Sequence, residues 1–162
     1  MVGKRTPVAP ATARGKGLDL LARREHSRRE LATKLGLRGF DAAEIDDALE
    51  SLRAQGCLSD ERFAASLARQ RSGQGYGPRR IAAELRSHGV ADAEIRAAID
   101  ELDADWPALA AAQLRRRHGK APAGAPAERA RRAAFLLRRG YDAATVRAVT
   151  RDDVDGQDTG LD

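Results

Sequence analysis

Few residues in this chain have the type and spacing to do covalent chemistry. His26, His88 and His118 are scattered along the sequence, and none has a thiol or carboxylate at metal-ligand spacing. Cys57 is the single cysteine, which excludes an internal disulfide, and its place beside Leu58 suits a buried structural thiol. Gly73, Gly75 and Gly77 alternate, but no strand precedes them and no GK[ST] follows, so the run reads as a flexible turn before Pro78. The sequence has no nucleophile elbow, P-loop or dinucleotide fingerprint, and its carboxylates lie on polar segments. No catalytic residue, metal ligand or cofactor-binding residue is expected, and the chain does not read as an enzyme.

What remains is arginine. The chain has 29 Lys and Arg against 24 Asp and Glu, a formal net charge of +5. Only Lys4, Lys16, Lys34 and Lys120 are lysines. A GC-rich genome would give this bias. So would a need for planar, multidentate donors toward carboxylates or phosphates. The charges are also segregated. Residues 14–38 carry eight basic and three acidic residues, and residues 41–61 carry one and seven. Residues 62–88 carry six and one, residues 92–105 one and six, and residues 115–151 eleven and two. A solvated mixed-charge surface is the ordinary explanation of one such helix. Recurrence in successive segments favours a repeated basic face that suits an acidic partner or a phosphate backbone.

The elements that carry these charges repeat. LATKLGLRGFDAAEIDDAL at 31–49, IAAELRSHGVADAEIRAAI at 81–99 and RAAFLLRRGYDAATVRAVT at 132–150 share one pattern. Leu35, Gly39, Phe40 and Ile45 align with Leu85, Gly89, Val90 and Ile95, and with Leu136, Gly140, Tyr141 and Val146. Such a period suggests small helical modules, each burying little alone. Each glycine sits where a left-handed residue ends a helix, and the next residue packs back onto the one four before the glycine. Ser27 with Glu30 and Asp41 with Glu44 are capping boxes. Pro78 and Pro107 fit first helical turns, as do Asp60 and Glu61. Ala and Leu dominate, β-branched residues are few and aromatics make up 4%. The expectation is an all-α fold of three tandem three-helix repeats forming an elongated, curved array.

The expected boundaries are a disordered basic arm at 1–15, repeats at 16–56, 57–103 and 104–152, and an acidic disordered tail at 153–162. The first helices of the repeats are placed at 18–26, 60–71 and 107–118, and the connections at 73–77 and 119–126. The first core is Leu31, Leu35, Ile45, Leu49 and Leu52. The second is Phe63, Leu67, Ile81, Leu85, Ile95, Ile99 and Leu102. The third is Trp106, Leu109, Leu114, Phe135, Leu136, Val146 and Val149. No apolar run approaches the ~20 residues a membrane helix needs. The basic N-terminus lacks an apolar signal core. A cytoplasmic protein without membrane contact is expected, a monomer on balance.

The leucine–glycine–isoleucine spacing also imitates a DNA-binding helix-turn-helix, whose helix after the turn enters the major groove. That helix carries Asp41, Glu44, Asp46, Asp47 and Glu50 in the first repeat, and Asp92, Glu94, Asp100 and Glu101 in the second. Phosphates would repel both. In the third repeat Arg147 and Arg151 offset Asp142, so the objection does not apply there. Tyr76 and Tyr141 are too few for a base-stacking platform and are read as packing residues.

LARREHSRREL at 21–31, SDERFAASLARQRSGQGYGPRRIAAEL at 59–85 and QLRRRHG at 113–119 resemble the signatures of the RecX regulatory proteins. His118 stands where Phe is more usual. The resemblance covers about residues 18–151 and implies three tandem three-helix repeats. It also implies a negative regulator of the RecA recombinase that has no catalytic residues or cofactors. Such a regulator binds in the groove of the RecA–single-stranded DNA filament and inhibits strand exchange, ATP hydrolysis and the coprotease activity behind the SOS response. Clustering within the matching segments points to Arg23, Arg24, Arg28 and Arg29, then Arg69, Arg71, Arg79 and Arg80, then Arg115, Arg116, Arg117, Arg131 and Arg132. Each would meet acidic RecA surface or single- or double-stranded DNA. The alternative is a standalone architectural nucleic-acid-binding protein with helix-turn-helix-like modules.

Overall fold

The computed structural model describes residues 11–155, with side chains as far as residue 151. Among the described residues are nine helices and no strand. They are α1 (Ala13–Leu21), α2 (Arg28–Gly36), α3 (Ala42–Ala54), α4 (Asp60–Gly73), α5 (Pro78–Ser87), α6 (Asp92–Glu101), α7 (Trp106–His118), α8 (Pro126–Arg139) and α9 (Ala143–Asp155). They make three sets of three, as the repeat requires. The chain divides into two compact units between Phe63 and Ala64.

In the first unit, α1, α2 and α3 enclose Leu31, Leu35, Ile45, Leu49 and Leu52, all buried, with Ala13, Leu20 and Leu58 added. The first helix starts earlier and ends earlier than the sequence suggests. Gly15 and Gly17 argue against a helix by propensity, yet both lie in α1. Capping and tertiary packing override that preference. The Thr12 hydroxyl accepts the Gly15 N–H at 3.0 Å. The Glu44 carboxylate accepts the Ala13 N–H at 3.0 Å, tying the start of α1 to α3. A Cβ on Gly17 would lie 2.7 Å from Leu52 Cδ1, so glycine lets α1 approach the core. Residues 13–15, assigned to the basic arm, therefore belong to α1. Residues 1–10 lie outside the described residues. His26 is in the turn before α2 rather than in a helix.

The caps form where expected. Ser27 Oγ accepts the Glu30 N–H at 3.0 Å, and Asp41 Oδ1 accepts the Glu44 N–H at 2.8 Å. Gly39, Gly89 and Gly140 all have positive φ. In the second and third modules the backbone closes with two bonds. Gly89 N–H donates to Arg86 and Val90 N–H to Leu85, at 2.9 and 3.2 Å. Gly140 N–H donates to Leu137 and Tyr141 N–H to Leu136, at 3.0 and 3.2 Å. The acidic tail begins later than expected, because α9 continues to Asp155. Residues 156–162 lie outside the described residues.

The second unit holds the second and third modules and is locked at one joint. Phe135 and Trp106 are only half-buried against a third core of Ala110, Leu114, Leu136, Tyr141, Val146 and Val149. The 73–77 stretch, expected as a flexible turn, is instead a packed connection, with Gly75 and Gly77 buried. Gly77 N–H donates to the Arg139 carbonyl at 2.8 Å, and Arg79 N–H to the Gly140 carbonyl at 3.0 Å. The orphan donors that open α5 are thus met by the orphan acceptors that close α8. The partial positive end of one helix abuts the partial negative end of the other. The Tyr141 hydroxyl donates to the Gly75 carbonyl at 3.0 Å. A Cβ on Gly77 would fall 2.4 Å from Gly140 C and Tyr141 N, and one on Gly140 would fall 2.4 Å from Arg80 Cβ. Backbone meets backbone here, and only glycine fits.

Gly77→Ala is expected to lower the unfolding free energy by about 2 kcal/mol, because the clash is with backbone that has no slack. Gly73→Ala, where an added Cβ meets nothing within 4 Å, serves as the comparison. Urea unfolding of the two variants checks this, and equal stabilities would contradict the joint.

Candidate functional site

The sequence nominates thirteen arginines, and the structure sorts them by what already holds each one. In the first unit, both terminal nitrogens of Arg24 reach the Glu30 carboxylate, which Lys34 also approaches at 3.1 Å. Burial pushes the Glu30 carboxyl up, but the hydrogen bonds from Arg24 and Lys34 together outweigh it and bring it down to about 2. Beside them His26 is buried, with Nδ1 3.0 Å from the Arg24 carbonyl and Nε2 3.0 Å from Lys34 Nζ. Desolvation lowers its pKa, which fits a neutral ring that donates through Nδ1 and accepts at Nε2. Arg28 pairs with Glu50 at 2.8 Å. Arg23 and Arg29 are exposed.

In the second module, Arg71 grips Glu84 through two nitrogens at 2.8 and 2.6 Å, and that hydrogen bonding holds the Glu84 carboxyl below its ordinary range. Arg69 lies 3.9 Å from Glu101. Arg79 and Arg80 are exposed at the start of α5. In the third module Arg132 is 3% exposed, donating to Glu128 at 2.7 Å and to the Ala121 carbonyl at 3.0 Å. Its guanidinium braces the 119–126 connection against α8 and is not presented to a partner. Arg115, Arg116, Arg117 and Arg131 are exposed.

The acidic third helices account for part of this sorting, while Glu30 on α2, Glu84 on α5 and Glu128 on α8 hold Arg24, Arg71 and Arg132. Glu50 on α3 takes Arg28 and Arg53. Asp92 on α6 takes Arg86 at 2.9 Å, and Glu101 approaches Arg69. Much of the alternating charge in the first two modules is spent inside the module. In the third module α9 carries Arg147 and Arg151, and its aspartates Asp152, Asp153 and Asp155 fall only at its end.

Two arginines outside the nominated set become central. Arg139 lies 4.8 Å from the Tyr76 ring centroid and 5.6 Å from that of Phe135. Arg80 is 4.5 Å from the Tyr76 ring, and Arg117 is 4.8 Å from the Phe135 ring. His118 meets Phe135 edge to face. Arg80, Tyr76, Arg139, Phe135 and Arg117 therefore form one chain of planar groups across the joint. Arg138 is exposed beside it. Guanidinium groups stacked on rings keep their N–H edges available. Only the RR at 138–139 before Gly140 hinted at this in the sequence. Tyr141 is 1% exposed and structural, as expected.

Among the described residues, no group of three or more His, Cys, Asp or Glu is placed to hold a metal ion. No helix among them is long and apolar enough to cross a membrane. Fold and site define an all-helical repeat protein with exposed arginines. Family models for the first, second and third three-helix domains of RecX match residues 13–52, 59–99 and 103–150 in turn. The regulatory protein RecX of Halorhodospira halophila is 48% identical over 143 residues, covering 86% of this chain and 87% of its own. That of Xanthomonas campestris pv. campestris is 40% identical over 157 residues, covering 91% and 97%. The chain belongs to the RecX family of regulatory proteins. A RecX crystal structure from Lactobacillus salivarius superposes with a TM-score of 0.74 at 18% identity, over 88% of this chain and 94% of that one, and shows the same fold.

The Glu30 cluster makes a pH prediction. A carboxyl depressed in the folded state stabilises it above the ordinary value of 4.5, and that contribution is lost as pH falls toward about 2. Glu30→Gln is expected to be less stable than the parent at neutral pH, with the gap closing between those values. Thermal melts across the acid range check this, and a gap independent of pH would contradict it.

Proposed function

We propose that this protein is a negative regulator of RecA. It binds in the groove of the RecA–single-stranded DNA filament and inhibits strand exchange, ATP hydrolysis and coprotease activity. RecX regulators modulate RecA, and all three RecX domains are matched in order along this chain. That complete, ordered match is the observation that carries the reading. The chemistry on the surface suits it. A filament of repeating protomers around a polyanion offers acidic protein surface and phosphates at regular intervals, and repeated cationic modules are complementary to both.

The interface residues of the second unit are the exposed arginines Arg79, Arg80, Arg115, Arg116, Arg117 and Arg131, joined by Arg138 and Arg139. Arg23 and Arg29 add exposed charge from the first unit. Arg24, Arg28 and Arg71 are held in ion pairs, Arg69 more loosely, and Arg132 is buried. The protein acts by occupying a surface and performs no catalysis, and it works in the cytoplasm, where RecA is.

The test is RecA ATPase on single-stranded DNA. Arg79→Glu with Arg80→Glu is expected to raise the half-inhibitory concentration at least about tenfold, since reversing a charge at a complementary surface adds repulsion as well as removing attraction. The thermal melt should not change. Unchanged inhibition by a folded double variant would remove these arginines from the interface. A parent protein without effect on RecA would overturn the reading itself.

A further inference from the structure

Three of these interface arginines, Arg117, Arg131 and Arg138, share one further feature of the third module. Between α7 and α8 lies an open groove of about 350 Å³, lined by Arg117, His118, Arg131, Phe135 and Arg138, with Glu128 at its rim. Its one carboxylate is already committed: Arg132 donates to Glu128 at 2.7 Å, and this hydrogen bond holds the carboxyl below its ordinary range. The three groove arginines are exposed. His118 Nε2, on the same wall, is buried without a hydrogen-bond partner. The groove opens onto the stacked series in which Phe135 touches Arg117 and Arg139, and Tyr76 touches Arg139 and Arg80.

We infer that this groove and the stacked strip beside it form a docking track for single-stranded DNA. The inference rests on the regulator reading above and deepens it by assigning one face to the nucleic acid rather than to protein. Charge and planarity select that occupant. A row of exposed guanidinium groups matches a chain of phosphates. Planar guanidinium groups also offer stacking surface to a base, which a polyglutamate chain has no ring to use.

The joint between the modules makes the track continuous. Arg139 stands at the end of α8, where its carbonyl is fixed by Gly77, and Arg80 stands on the first turn of α5, whose backbone packs on Gly140. Groups from two modules are thereby held in one series. The joint orders them before the strand arrives, so less entropy is lost on binding.

The test uses the full chain, a fluorescent oligodeoxythymidylate and no RecA, so its result does not depend on the regulator reading. Binding is measured by anisotropy across a salt series. Removing one phosphate-binding cation should flatten the log–log salt slope by about 0.7 for a single strand. Arg117→Ala with Arg138→Ala is expected to flatten it by ~1.4 and to weaken binding roughly 25-fold at ~0.1 M salt. Arg96→Ala, an exposed arginine on α6, should weaken binding far less. Arg117→Lys with Arg138→Lys should keep the slope and bind more weakly, because charge remains while the planar fork is gone. Equal weakening in the α6 variant and the groove variant overturns the inference. So does equal affinity for duplex of the same charge, or equal competition by polyglutamate at matched charge. A groove variant that no longer holds the oligonucleotide supports the track whatever RecA does.

Discussion

The meeting of two helix ends, α8 running into α5, is the constraint on which the second unit depends. Each helix leaves unsatisfied backbone groups where it stops, and here one helix's donors are the other's acceptors. That arrangement brings backbone against backbone, which demands glycine at both Gly77 and Gly140. Tyr141 then seals the joint from below, with its ring against Trp106 and its hydroxyl on the Gly75 carbonyl. The result is two modules that share one packed seam. Arginines far apart in sequence, Arg80 and Arg139, reach the same tyrosine ring.

Charge follows a second rule, which divides the molecule differently. In the first two modules several arginines find carboxylate partners on the acidic third helices. Glu50 draws in Arg28 and Arg53, and Asp92 draws in Arg86. Such exposed pairs contribute little to stability, but they do cancel field. The third module carries Arg151 where its predecessors carry Glu50 and Asp100, and Arg147 where they carry Asp46 and Arg96, so the first part of its third helix is less acidic than theirs. The same repeat therefore yields two largely self-neutralised modules and one strongly cationic module.

Much of this was legible in the residues. The glycine stops, the Ser27 and Asp41 caps and the leucine cores are local or periodic signals, and local chemistry decides them. Three features resisted. The helix α1 contradicts its own propensity and forms because Glu44 and Leu52, distant in sequence, fit its first turn and its Gly17. Gly77 reads as freedom when it is there for proximity, a difference that no single chain reveals before its partner segment is placed. The arginine set was drawn from clustering, which cannot distinguish an arginine with a carboxylate beside it from one without. Arg132 sits among arginines in sequence and under the surface in space. Arg139 needed the joint before it could be recognised.

The proposed function rests on these two rules together. One fixes where cationic groups stand, and the other leaves a subset of them exposed. A surface of that kind suits a long, regular polyanionic target. The most direct measurement is electron microscopy of RecA filaments on single-stranded DNA with this protein added. The account predicts extra density that follows the filament groove with the helical repeat of RecA, and it predicts that density to vanish when the exposed arginines of the third module are replaced. Filaments that remain bare at concentrations that inhibit RecA, or density unaffected by those replacements, would contradict it.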